Sequence, residues 1–251
     1  LESGLTDAWC NLGNVQRDLK RYKEARKSYG RAISLQPDLA EAWNSLGNLH
    51  QQTGALADAE AAYRKALELQ PDSAEACYNL GTILARLGRW EEAADYCQTA
   101  IKLAPIRPEP YGQLADIYLN QSRTGDALRC LRAGLKADPR HPELLYILGF
   151  ALSTKGDLPA AKDAYTRALD VNPEHAAALS ALLYVKRQLA DWSSIDDLSR
   201  RLAAGLDRGW QQISPFSYLA EPSDRRQQLR CARLWTKGIQ QRIGGRSASR
   251  A

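Results

Sequence analysis

A 34-residue period runs through most of this chain without slipping. Trp9, Trp43, Cys77, Tyr111 and Leu145 stand 34 residues apart, and the same register holds Leu12, Leu46, Leu80, Leu114 and Leu148. Small residues follow at Gly13, Gly47, Gly81, Ala115 and Gly149, then Ala25, Ala59, Ala93, Ala127 and Ala161. Tyr29, Tyr63, Cys97, Leu131 and Tyr165 come next, and each unit closes on Pro37, Pro71, Pro105, Pro139 or Pro173. Self-similarity at such a spacing marks a repeat architecture, in which each unit is one supersecondary element.

With Thr6 as position 1, positions 4, 7, 8 and 11 cluster on one side of a helix at 100° per residue. That side carries the Trp or Leu, the Leu, the Gly and residues such as Leu84 and Leu152. It is expected to face a second helix presenting the Ala and Tyr positions, with the Gly allowing close backbone approach. Gly54, Gly88 and Gly156 mark the turns within pairs, and Asp157-Leu158-Pro159 reads as a helix start. The pattern predicts helices near 7–19, 22–35, 41–53, 56–69, 75–87, 90–103, 109–121, 124–137, 143–155 and 158–171. One hairpin cannot bury its own apolar surface, so the units must stack. No β-α-β alternation appears, so the sequence predicts an all-α chain without a nucleotide-binding sheet.

Small, large and breaker positions recurring in phase over 6–175 resemble the tetratricopeptide-repeat family. The resemblance implies a right-handed α-solenoid of five stacked helical hairpins. Leu1–Thr6 aligns with Leu35–Ala40, so 1–5 reads as the remnant of a preceding repeat, with Ser3 in place of the proline. Residues 176–208 read as a degenerate sixth hairpin acting as a cap, 209–243 as a linker and amphipathic helix, and 244–251 as a flexible tail.

In a solenoid the first helices line a groove, and positions 2, 6, 9 and 13 lie about 180° from the packing side. Position 6 reads Asn11, Ser45, Asn79, Gln113 and Ile147; position 9 reads Asn14, Asn48, Thr82, Asp116 and Phe150. Asn44, Gln51, Gln52, Arg17, Arg86 and Asn120 lie on or beside this face. An asparagine amide both donates and accepts, so a ladder of them can hold the backbone of an extended peptide at about 1 kcal/mol per bond. The other reading is a solvated helix face, although asparagine is a mediocre helix former and its recurrence needs a reason. Asp7, Glu41, Glu75, Glu109 and Glu143 fill position 2, which favours a helix N-terminus more than an acidic stripe for basic partners. Cys10 and Asn44 stand where the carboxylate clamp of chaperone-binding relatives has a Lys four residues before the Asn, which argues against a chaperone adaptor. Ile147 and Phe150 form an apolar patch in the groove, expected to be covered by the segment after the repeats or by an adjoining domain.

Charge divides the chain. Residues 1–185 hold 21 Lys+Arg against 23 Asp+Glu, while 186–251 hold 13 against 6. The repeats are therefore no basic nucleic-acid platform. No apolar run is long enough for a membrane helix. The five cysteines lack metal-ligand spacing and read as buried hydrophobes in a reducing cytoplasm. His50 falls at a packing position and reads as a core residue; His141 and His175 lie in the equivalent inter-repeat turns of successive repeats, with no nucleophile at motif spacing. No catalytic residue, cofactor or metal is expected.

After the repeats, Asp191-Trp192 is expected to open a helix to about Leu206. Ser223 or Asp224 can cap a last helix with Leu229, Ala232, Trp235, Ile239 and Ile243 on one side and Arg226, Arg230, Arg233 and Lys237 on the other. The apolar side is expected to pack on a neighbouring domain. Asp191-Trp192, Pro215-Phe216, Leu219, Gln228 and Ala232-Arg233, at these spacings, resemble the transition segment of O-linked N-acetylglucosamine transferases and SPINDLY-type relatives. That resemblance implies a substrate-recognition arm for a nucleotide-sugar glycosyltransferase domain lying outside this chain. The alternative is a free-standing adaptor for protein assembly.

Overall fold

The structure, a computed structural model, describes residues 2–211, 213, 218, 221, 223 and 225–243. Pro215, Phe216, Leu219, Asp224 and the tail 244–251 lie outside the described residues. Among the described residues there are thirteen helices and no strand. Two compact units divide between Pro105 and Ile106. The first contains α1 (Glu2–Asp18), α2 (Tyr22–Leu35), α3 (Ala40–Thr53), α4 (Leu56–Leu69), α5 (Ala74–Arg86) and α6 (Trp90–Leu103). The second contains α7 (Glu109–Asn120), α8 (Thr124–Ala137), α9 (Pro142–Lys155), α10 (Leu158–Val171), α11 (Ala176–Gln188), α12 (Ile195–Asp207) and α13 (Arg225–Ile243).

Helix α1 starts earlier than the periodicity predicts, at Glu2. Ser3 and Gly4 stand where later repeats have a proline and its turn, and neither removes a helical N–H as proline does. Within hairpins, Lys20, Gly54, Gly88, Ser122, Gly156 and Ala190 all have positive φ, between 52° and 90°. They share one register position, so the left-handed turn persists even where no glycine eases it. The sixth hairpin keeps this turn, but α12 opens at Ile195 rather than at Asp191. The Asp191 carboxylate instead organises the turn, accepting from Lys162 and Lys186 (both 2.9 Å) and from the Ser193 backbone N–H (3.2 Å).

The glycine row faces an aromatic ring rather than a bare backbone. A Cβ on Gly47 would stand 2.6 Å from Tyr63 Cε1, and Gly13 and Gly149 face Tyr29 and Tyr165 in the same way. Gly81 is paired instead with the smaller Cys97, and a Cβ there would stand 2.9 Å from Cys97 Sγ and 3.2 Å from Ala93 O. The second-helix tyrosine thus fills the space that the first-helix glycine leaves.

The last helix is rotated from its expected orientation. Leu229 is half exposed, whereas Cys231 and Gly238 are buried, the latter against Gln211. The helix packs on α12 within its own unit, where Arg230 donates to the Asp207 carbonyl at 2.8 Å. Arg187 and the buried Glu221, 2.6 Å apart, tie the connecting segment to α11. The cysteines are all free thiols; four are buried and Cys130 is partly so.

Candidate binding face

Within each unit the first helices of successive hairpins touch, α1 with α3, α3 with α5, α7 with α9 and α9 with α11. Second helices of successive hairpins make no such contact among the described residues. Closer packing of the first helices puts their outward sides on the inside of the bend in each unit. That inner side carries the residues singled out by register.

In the first unit, Asn11 is exposed, while Asn14, Arg17, Asn44, Asn48, Gln51, Asn79, Thr82 and Arg86 are partly buried. Several of the amides are already engaged. Tyr29 Oη donates to Asn14 Oδ1 at 2.8 Å, and Tyr63 Oη donates to Asn48 Oδ1 at 2.7 Å and to Gln51 Oε1 at 2.9 Å. Asn79 Nδ2 reaches both Asn44 Oδ1 and Asn48 Oδ1 at 3.2 Å, and Asn44 Nδ2 donates to Glu75 at 2.9 Å. Arg17 pairs with Asp18 at 3.2 Å, and Thr82 Oγ1 donates to the Tyr78 carbonyl at 3.0 Å. The recurrence of asparagine at position 9 therefore has a structural cause that register alone did not reveal. It accepts from a buried tyrosine hydroxyl fifteen residues on, and buried polar groups need partners. Where position 9 is Phe150, Tyr165 turns to Ser153 at 3.5 Å.

In the second unit, Gln113 is partly buried and Asp116 is exposed. Ile147 and Phe150 do not form one patch. Ile147 is only 6% exposed, and its Cδ1 lies 3.4 Å from where a Cβ on Gly112 would stand. It packs against α7 of the preceding hairpin, where the small Gly112 leaves room. Phe150 stays 49% exposed, and Tyr184, at the same register position of α11, stays 46% exposed.

Asp116 meets solvent but sits low on the inner side. Crowding by surrounding atoms, then the charge of Glu143, push its carboxyl up to about 6. With the folded value raised, the folded state binds the extra proton, so this group's penalty is full above pH 6 and disappears towards pH 4. Asp116→Asn is expected to raise the melting temperature slightly at pH 7.5, by less than about 1 kcal/mol of stability for so accessible a group. The gain should vanish near pH 4; a gain independent of pH in thermal melts would reject the carboxyl's role.

The histidines are structural. Nδ1 of His141 accepts from Leu144 N at 3.3 Å and Nδ1 of His175 from Ala178 N at 3.2 Å, each capping a helix start. His175 Nε2 also meets Glu143 Oε2 at 3.1 Å. His50 is partly buried beside Asp58 and Arg26, and burial lowers its pKa. Among the described residues no helix is long and apolar enough to cross a membrane.

The profile of a tetratricopeptide-repeat family, described as the cilia and flagella-associated protein 70 C-terminal domain, matches residues 3–209. The chain belongs to this family. The tetratricopeptide fold is shared with solved structures at low identity. PilF of Pseudomonas aeruginosa has a TM-score of 0.73 at 18% identity, covering 94% of this chain and 99% of that one. PilW, a widely conserved type IV pilus biogenesis factor, has 0.72 at 22%, covering 79% and 92%. YrrB, described as a tetratricopeptide protein with an unusual peptide-binding site, has 0.56 at 18%, covering 82% and 97%. No curated protein matches the chain in sequence.

Proposed function

We propose that this tetratricopeptide chain is a binding scaffold that holds an extended segment of a partner protein along the inner side of its repeats. The observation that carries this reading is the inner side of the first unit. Tyrosine hydroxyls hold the Asn14 and Asn48 oxygens, which leaves their Nδ2 groups as donors towards the inside of the bend. Asn11 stands exposed beside them without a hydrogen-bond partner among the described residues. Fixed amide donors suit a peptide backbone whatever its side chains. The free thiols support a reducing compartment, the cytoplasm.

Peptides selected from a random displayed library on the whole chain should lose about fivefold in affinity on Asn11→Ala, the worth of roughly one hydrogen bond. They should lose nothing on Arg31→Ala, an exposed outer-side control on α2. Fluorescence polarisation showing the reverse order would place binding on the outer side.

A finer reading makes this scaffold the substrate-recognition arm of an O-linked N-acetylglucosamine transferase-like enzyme. Asp191-Trp192, Gln228 and Ala232-Arg233 support it, with Trp192 67% exposed. An adaptor for protein assembly fits the scaffold equally well. The coding sequence downstream of Ala251 separates the two: strand–helix alternation there supports the transferase. On either reading, titration calorimetry of this chain with UDP-GlcNAc should show no binding.

A further inference from the structure

The amide lattice of the first unit has a counterpart in the second that lacks one half. Between α3 and α5, position 6 of the later helix is Asn79, which donates to position 9 of the earlier helix, Asn48, and to Asn44. Between α7 and α9 the same positions hold Ile147 and Asp116. Isoleucine cannot donate, and it is packed over Gly112, one turn before Asp116. The Asp116 carboxylate therefore has no hydrogen-bond or ion-pair partner among the described residues; Asn120 Nδ2 donates to its backbone carbonyl, at 2.8 Å, not to the carboxylate. The charge acting on it is another carboxylate, Glu143, whose Oε2 meets His175.

Two aromatic side chains stand at the same register position on the next two inner helices. Phe150 lies one turn beyond Ile147, and Tyr184 follows on α11. Both are nearly half exposed, and among the described residues the Tyr184 hydroxyl accepts from Gln188 alone. The inner helices here offer no cation of their own. Helices α7 and α9 contain no Lys or Arg before Lys155, while on α11 Lys186 is spent on Asp191 and Arg187 on Glu221. The first unit, by contrast, has Arg17 and Arg86 on its inner side.

We infer that the inner side of the second unit takes a basic side chain, Arg or Lys, of a partner-protein segment, seated between the Asp116 carboxylate and the face of Phe150, with an apolar neighbour against Tyr184. A guanidinium supplies the donors that the isoleucine withholds, and it stacks on an aromatic face as an amide does not. Exposed aromatics beside unpaired acid select a cation flanked by apolar residues over an acidic or wholly polar segment. This rests on the scaffold reading above and adds its specificity.

The test is an immobilised array of random twelve-residue peptides probed with the whole chain, with Asp116→Asn and with Phe150→Ala. The wild-type chain should enrich Arg or Lys next to an apolar residue. Asp116→Asn should weaken the best such peptide about tenfold, as for loss of one charge-assisted bond. Phe150→Ala should weaken it while leaving peptides without a cation unaffected. Both positions are exposed, and circular dichroism melts no lower than the wild type's would separate lost binding from lost fold. Peptides bound with no preference for a cation, or a preference surviving Asp116→Asn, would overturn this inference and leave the scaffold standing. No peptide bound at all would sink the scaffold reading itself. Sedimentation showing a dimer that Asp116→Asn dissociates would give the seat to a second copy of the chain instead.

Discussion

Gly47→Ala lowers the stability of the first unit by about 1–3 kcal/mol, the range for overpacking a filled core. The sign is not obvious from propensity, since replacing a mid-helix glycine by alanine ordinarily gains about 0.5–1 kcal/mol. Here the new methyl would meet Tyr63 Cε1 at 2.6 Å and Cδ1 at 2.7 Å. The ring cannot withdraw, because it is fully buried and its hydroxyl is held by Asn48 and Gln51. Gly30→Ala supplies the contrast, as nothing lies within 4 Å of its missing Cβ, and that substitution should stabilise. The chain also contains its own rescue. Repeat four pairs Ala115 with Leu131, both fully buried, in place of the Gly–Tyr pair. Tyr63→Leu, destabilising alone, should therefore cost less in the Gly47→Ala background, with a coupling of about 1 kcal/mol or more in urea unfolding. Additive losses would mean that the two positions do not share one space.

That pairing shows where the sequence was legible and where it was not. The period and the hydrophobic phase placed nine of the ten repeat helices to within one residue at each end and missed the early start of α1, since each hairpin must bury the same stripe against its neighbours. The sharing of space between positions 8 and 24 was visible as co-recurrence, but its content, a ring against a missing methyl, needed coordinates. The inner side was harder. Angular arithmetic placed Asn14 and Asn48 on the face opposite the packing side, yet a helix wheel has no depth. Those side chains lie at the edge of that face, within reach of a tyrosine on the second helix. The same lack of depth made Ile147 look exposed, although the glycine at position 112 in the preceding repeat opens a seat for it. Asp191 failed differently. It resembles a helix cap in sequence, but two lysines compete for its carboxylate and hold it in the turn.

Asn14→Ala should destabilise the first unit more than Asn48→Ala, and this decides what the asparagines are for. Tyr29 is fully buried, and among the described residues its hydroxyl donates to Asn14 alone, at 2.8 Å. Removing that acceptor strands a buried donor, at about 1–3 kcal/mol. The Tyr63 hydroxyl keeps Gln51 Oε1 at 2.9 Å when Asn48 is lost, so the cost there should fall towards the lower end. Tyr29→Phe in the Asn14→Ala background removes the stranded group and should recover part of the loss, because taking away both partners of a hydrogen bond costs less than taking one. If instead Asn14 only faced water or a ligand, chemical denaturation of Asn14→Ala would match the wild type. The consequence reaches function. Alanine substitution at Asn14 or Asn48 changes the platform as well as the donor it presents, and of these three asparagines the exposed Asn11 reports on partner binding by itself. A scaffold that fixes its amide oxygens from behind with tyrosine hydroxyls presents donors whose direction is set before any partner arrives, and that lowers the ordering cost of binding.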